Sequence, residues 1–130
     1  MASWQDVGVE NFRTAVELVE GKRYRSAVSR FYYAIFALLT FELLIRSARA
    51  DFSHNRETPG HGQMSLLVDK YLTQFSDERR ANLSTAVRAL YRYRLQADYS
   101  LVRMDREITR ESHRLADNVF RYLGVNHERK

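Results

Sequence analysis

The feature that most constrains this chain is the run Phe31 to Leu39, in which every residue is apolar. A helix that is apolar on nearly every side must be covered by other helices, so this one belongs at the centre of a bundle or at a dimer interface. The run is too short to cross a bilayer, and Glu42 and Arg46 soon follow it. The opening residues MASWQDVGVENF carry neither the basic region nor the apolar region of a signal peptide, so a cytoplasmic protein without a membrane role is expected. Two adjacent tyrosines, Tyr32 and Tyr33, bring hydroxyls into the apolar run just behind Ser29 and Arg30. Aromatics at helical spacing are usually core, and their hydroxyls then reach for a polar partner on a neighbouring element.

Helical spacing governs the rest of the chain, and with 5 Gly and 1 Pro in 130 residues there is little to interrupt it. Phe12, Ala15, Val16 and Val19 mark a first helix closed by Gly21. A second runs from about Tyr24 to Ala48, and a loop holding the Pro59-Gly60 pair covers 50–60. Met64, Leu67, Val68, Tyr71, Leu72 and Phe75 define a third helix. Ser76, with Asp77 and Glu78 behind it, caps a fourth that runs to about Tyr99. A fifth spans Met104 to Leu123, stopped by Gly124, with 125–130 as a fraying tail. No strand-like alternation or internal repeat appears. The fold class predicted is all-α: one domain, 1–130 with its core at about 6–124, built as a five-helix, mainly antiparallel up-and-down bundle.

Charge narrows the partner. The formal net charge is +5, and the positive side chains are 18 Arg against 3 Lys. Arginine forks match phosphate in a bidentate way that lysine does not, which tilts the chain toward RNA or a nucleotide. There is no cysteine, so disulfides and thiolate metal sites are excluded. Paired-histidine spacing, a phosphate-cradling glycine loop and a nucleophile elbow are all missing, and neither metal nor cofactor is expected.

The fourth helix carries an unusual pair. Its apolar stripe is Leu83, Val87, Leu90 and Tyr91, and on a helical wheel Arg94 lies about 20° from Leu83, Asp98 about 60° and Tyr99, at the stripe's edge, about 160°. Arg94 and Asp98 therefore fall on the inward face, where a charge must be paired. The arginine precedes the acid, the less favourable order for a simple helix-stabilising bridge. The pair reads either as a structural ion pair or as the floor of a pocket.

Several short patterns then combine: Gly21-x-x-Tyr24-x-x-Ala27, Ser29-Arg30-x-Tyr32-Tyr33-Ala34-x-Phe36, His61-Gly62 and Arg94-x-x-Ala97-Asp98-Tyr99. Over about residues 10–123 the chain resembles the HEPN family of helical-bundle domains, often encoded beside small nucleotidyltransferases. The resemblance implies a four-helix-bundle-like fold, a homodimer, and a function as a ribonuclease, toxin or toxin-antitoxin component. The family's motif is an arginine followed after four to six residues by a histidine. Arg94 takes the arginine position, but Tyr99, Ser100 and Leu101 occupy the histidine slots, a departure that bears directly on metal-independent RNA cleavage. A free phenol titrates near 10, so Tyr99 is a poor base at neutral pH.

Elsewhere Arg49 and His54, Arg56 and His61, Arg106 and His113, and Arg121 and His127 fit the same spacing. With so many arginines, roughly two such matches arise by chance, and none is assigned catalysis. The pair on the fifth helix points away from the Ile108, Leu115 and Val119 stripe, toward solvent. His61, just after Pro59-Gly60 at the start of the third helix, is the one histidine placed to act as a base, to meet phosphate or to cap.

The expected function is that of a HEPN-type accessory or toxin-like component that binds RNA or a nucleotide, with a nucleotidyltransferase partner. Arg94 and His61 are the candidate catalytic groups, and Arg94, Asp98, Tyr99, Tyr32, Tyr33 and His61 the candidate ligand-binding ones. The rivals are an active ribonuclease using His61 and a non-catalytic interaction scaffold.

Overall fold

The computed structural model describes residues 3–53, 57–101 and 103–127. Within them the chain is an all-α, mainly antiparallel bundle of five helices: α1 (Trp4–Glu20), α2 (Tyr24–Ile45), α3 (Met64–Tyr71), α4 (Asp77–Tyr99) and α5 (Arg106–Tyr122). Short 3-10 turns cover Ala48–Asp51 and His61–Gln63. His54 and Arg56, from two of the arginine–histidine matches, lie outside the described residues.

α2 is the axis of the bundle and packs against all four other helices. Its apolar run is covered by the chain itself, with Phe31, Tyr32, Ile35, Leu38 and Leu39 fully buried. Counted whole, α2 is long and apolar enough to cross a membrane, with a mean hydropathy of 1.6 over its best window. The nine-residue run understated that length. Burial against the neighbouring helices, not shortness, marks α2 as a core helix, an arrangement compatible with a soluble protein.

α1 lies so near α2 that Gly8 has no room for a side chain. A Cβ there would stand 2.9 Å from the Ala34 carbonyl oxygen and 3.3 Å from the Leu38 nitrogen. Glycine inside a helix costs about 0.5–1 kcal/mol relative to alanine, and here the close approach requires it.

The helix ends are set locally. Ser3 and Asp6 form a capping box on α1. Gly21 closes α1 as expected, but Lys22, at φ 60°, takes the left-handed conformation. α2 stops at Ile45, short of Ala48, because Ser47 turns the chain at φ 59°. α3 stops at Tyr71, leaving Leu72 as its buried C-cap and Phe75 in the connection to α4. The Ser76 hydroxyl accepts from the Arg79 N–H at 3.2 Å, the cap the sequence predicts. α5 begins after Met104 because Asp105 caps it, accepting from the Ile108 N–H at 2.9 Å. Gly124, at φ 69°, ends it as expected.

Two expectations at the C-terminal end are corrected. Residues 128–130 lie outside the described residues, but 125–127 do not fray. The Val125 N–H donates to the Phe120 carbonyl at 3.0 Å, and His127 stacks on Phe12 with ring centroids 3.8 Å apart. His113 does not point to solvent: it stacks on Phe31 at 5.0 Å and 12°. The face α5 buries is Thr109, Ser112, Ala116, Val119 and Phe120, which is turned toward His113 from the stripe used to orient the helix.

Candidate functional site

The six residues singled out in the sequence converge where α2, α4 and the turn into α3 meet. Tyr32 and Tyr33 come from the middle of α2, and Arg94, Asp98 and Tyr99 from the last turns of α4. His61 opens the 3-10 turn that precedes α3. It does not cap that turn. Gln63 does: its Oε1 accepts from the Gly60 N–H at 2.8 Å and from the Ser53 N–H at 2.7 Å. His61 is left free to face the bundle.

Arg94 is 8% exposed. Its Nη2 donates to the Tyr33 hydroxyl at 2.7 Å. Its Nε lies 3.1 Å from Asp98 Oδ2, an ion pair by distance, but the carboxylate sits off the N–H direction. Nε therefore has no hydrogen-bond acceptor among the described residues, and such an unmade bond costs about 1–3 kcal/mol. Aromatic rings surround the guanidinium: its carbon is 5.3 Å from the Tyr33 centroid, 5.4 Å from Tyr99, 5.9 Å from Tyr32 and 6.0 Å from Tyr91. A cation among π-faces is attracted by their quadrupoles. Burial opposes the charge, but the Tyr33 hydrogen bond, with Tyr33, Tyr99 and Asp98 nearby, outweighs it and holds the group above its ordinary pKa.

Asp98 corrects the wheel projection. Its side chain is 29% exposed and sits at the rim, where the Ser29 hydroxyl donates to it at 3.2 Å. Asp98 shares the phase of the stripe, but it lies one residue from the end of α4, where packing no longer carries a side chain inward. Tyr99 is 75% exposed, as a residue at the stripe's edge should be.

His61 lies between rings, 4.6 Å from Phe36 and 5.9 Å from Tyr91, with the latter nearly parallel at 4°. Burial, and then the charge of Arg94, push its pKa below the usual histidine value, so the ring is neutral at pH 7. The Tyr32 hydroxyl is 2.7 Å from His61 Nδ1. Tyr32 is fully buried, and burial pushes its phenol well above its ordinary value, so it keeps its proton. A phenol whose one described partner is a ring nitrogen donates to it. By this hydrogen-bond logic Nδ1 accepts, and the neutral imidazole carries its own proton on Nε2.

Sequence reasoning missed Tyr91, Ser29, Phe36 and Arg25. The sequence offers Tyr91 only as part of the stripe, although it lies one turn before Arg94 and so shares its face. Ser29 lies one turn before Tyr32 and Tyr33. Arg25 Nη1 donates to the carbonyls of Gln96, Ala97 and Ser100 at 3.1, 2.6 and 2.7 Å, capping the end of α4 from α2. No local pattern announces that contact, since it joins residues about 70 apart in the chain. Among the described residues no three histidine or carboxylate side chains converge as a metal would need.

Compared with protein-family profiles, with curated proteins and with solved structures, the chain matches none of them.

Proposed function

We propose that this chain is a HEPN-type helical protein that binds RNA or a nucleotide through Arg94. In this reading it serves as an accessory or toxin-like component in the cytoplasm beside a nucleotidyltransferase partner. The observation that carries the reading is the Arg94 guanidinium, held charged within a ring of tyrosines with one N–H unpartnered. Nε itself is buried beside Asp98, so in this reading a phosphate oxygen meets the guanidinium through the tenth of the side chain that stays exposed. Asp98 orients Arg94 from the rim, Tyr33 fixes its far side, and exposed Tyr99 offers a face to a base. The neutral His61, presenting Nε2–H, donates to the ligand. That tautomer favours binding over cleavage, because a general base needs a free lone pair at the reacting atom. Tyr99 and Leu101, both exposed beside the site, supply apolar contact for a second copy in a homodimer.

Titration of a single-stranded RNA and of a free nucleotide into wild type and Arg94→Ala tests the reading. Loss of binding with an unchanged circular dichroism spectrum is expected; unchanged binding by a folded variant sinks it. RNA incubated without metal, beside a His61→Ala control, separates binding from ribonuclease activity.

The depth of Arg94, 8% exposed, favours a second reading as a protein-interaction scaffold in which the pair only braces α2 against α4. In that case Arg94→Met alters stability alone and leaves every ligand titration flat.

A further inference from the structure

Most cations of this chain are engaged. Arg46, Lys70, Arg80, Arg94, Arg114 and Arg121 pair with carboxylates. Arg13, Arg25, Arg30 and Arg88 make hydrogen bonds, and Arg79 and Arg92 lie over tyrosine rings. Among the described residues the cations with none of these partners are Lys22, Arg23, Arg49, Arg103, Arg106 and Arg110. All but Arg49 line two adjoining hollows, of about 440 and 330 Å³, between the α1–α2 turn and the start of α5.

The hollows share Lys22 and Tyr24. Tyr24, half-buried, packs against the small cluster of Val28, Ala97 and Met104, which holds its ring in place. Glu20 is the one carboxylate lining either hollow, and Asp105, beside Arg106, is occupied in capping α5. Five unpaired cations around one fixed aromatic create a positive, concave surface. Lys22 reaches it from a left-handed backbone conformation, which non-glycine residues adopt at a cost of about 1–3 kcal/mol.

We propose that the two hollows form one track for single-stranded RNA. Lys22, Arg23, Arg103, Arg106 and Arg110 meet successive phosphates, and Tyr24 takes a base on its face. The combination of a basic groove with an aromatic platform is what a flexible polyanion of stackable units requires. An anionic membrane would be met by cations around an apolar face, whereas these cations line hollows. An acidic peptide has no use for an aromatic ring shared by two cation-lined hollows. Arg25, which walls the second hollow, also caps the end of α4, so the track runs up to the turn carrying Asp98 and Tyr99. The inference rests on the phosphate-binding reading of Arg94 and gives its ligand a class, an RNA strand rather than a free nucleotide.

Fluorescence anisotropy of a labelled single-stranded RNA, read across a salt series, tests it. The double variant Arg106→Ala/Arg110→Ala changes two exposed side chains. It should bind more weakly at every RNA sequence, with the log–log salt slope shallower by roughly 1.4, or 0.7 for each lost phosphate contact. Tyr24→Leu, which keeps the apolar packing, should lose roughly ten- to a hundredfold in affinity at unchanged slope. The track is overturned if the double variant keeps both affinity and slope. It is equally overturned if duplex RNA, anionic vesicles or polyglutamate compete as well as the single strand. Arg94→Ala in the same assay separates the two ideas. Silent track variants with a binding-dead Arg94→Ala remove the track alone; the reverse pattern removes the Arg94 reading and leaves the track.

Discussion

Two centres in this bundle set histidines among aromatic rings, and they are built to opposite ends. In one, His61 lies among Tyr32, Phe36 and Tyr91 beside the cation Arg94. In the other, His113 and His127 lie against Phe12, Phe31 and Phe120 beside the anion Asp117. The second centre is tied together by its own polar contacts, although a hollow of about 490 Å³ opens beside its two histidines: His127 Nε2 is 2.7 Å from Asp117 Oδ1, Arg121 Nε is 2.9 Å from Oδ2, and Arg13 Nε donates to the His127 carbonyl at 2.9 Å. Its rings are phenylalanines, with no hydroxyl to satisfy. In the first the rings are mostly tyrosines, the buried guanidinium Nε has no acceptor among the described residues, and the rim at Tyr99 is exposed. In the second centre His127 and Asp117 satisfy one another, whereas in the first Arg94 Nε is left without an acceptor among the described residues.

That contrast is strongest in stability. Phe31→Ala removes the ring beneath His113 and should cost about 3–5 kcal/mol in urea unfolding. His127→Ala unfastens the segment after α5 and should cost about 1 kcal/mol, with ligand titrations unmoved. Arg94→Met should change stability by less than about 1 kcal/mol, because Asp98 remains in reach of water, yet abolish RNA binding. A large stability loss from Arg94→Met without a binding effect would merge the two centres into one structural class.

The subtlest contrast is in pH. Both His61 and His113 have pKa values lowered from 6.5, each by burial first. The unfolded chain therefore takes up protons before the folded one, so stability falls as pH drops below about 6.5 and is regained as pH rises through that window. Urea midpoints at pH 5.5 and 7.5 should show this order. The charges beside the two rings then act in opposite senses, since Arg94 lowers His61 whereas Asp117 raises His113. By NMR titration Arg94→Met should move His61 up and Asp117→Asn should move His113 down. Shifts of the same sign would break the comparison.

Much of the first centre was legible in the sequence because it is written in helical periods. Phe31 to Leu39 identifies the axis, and Leu83 to Tyr91 sets the phase that brings Arg94 inward. Asp98 was misplaced because a wheel takes no account of where a helix ends and water begins. The second centre was illegible for a related reason. The phase of α5 was drawn through Ile108, Leu115 and Val119, while the face it buries includes Thr109 and Ser112, polar residues that hydropathy assigns to the surface. The fold of residues 125–127 onto Phe12 is a long-range contact with no local signature.

Arg25 gives the bundle a mechanical property. One guanidinium nitrogen of α2 gathers three carbonyls at the end of α4. The turn bearing Asp98 and Tyr99 is thus tethered by a side chain that also borders the second of the cation-lined hollows. The end of α4 that carries Asp98 and Tyr99 and the wall of the second hollow therefore depend on one and the same side chain.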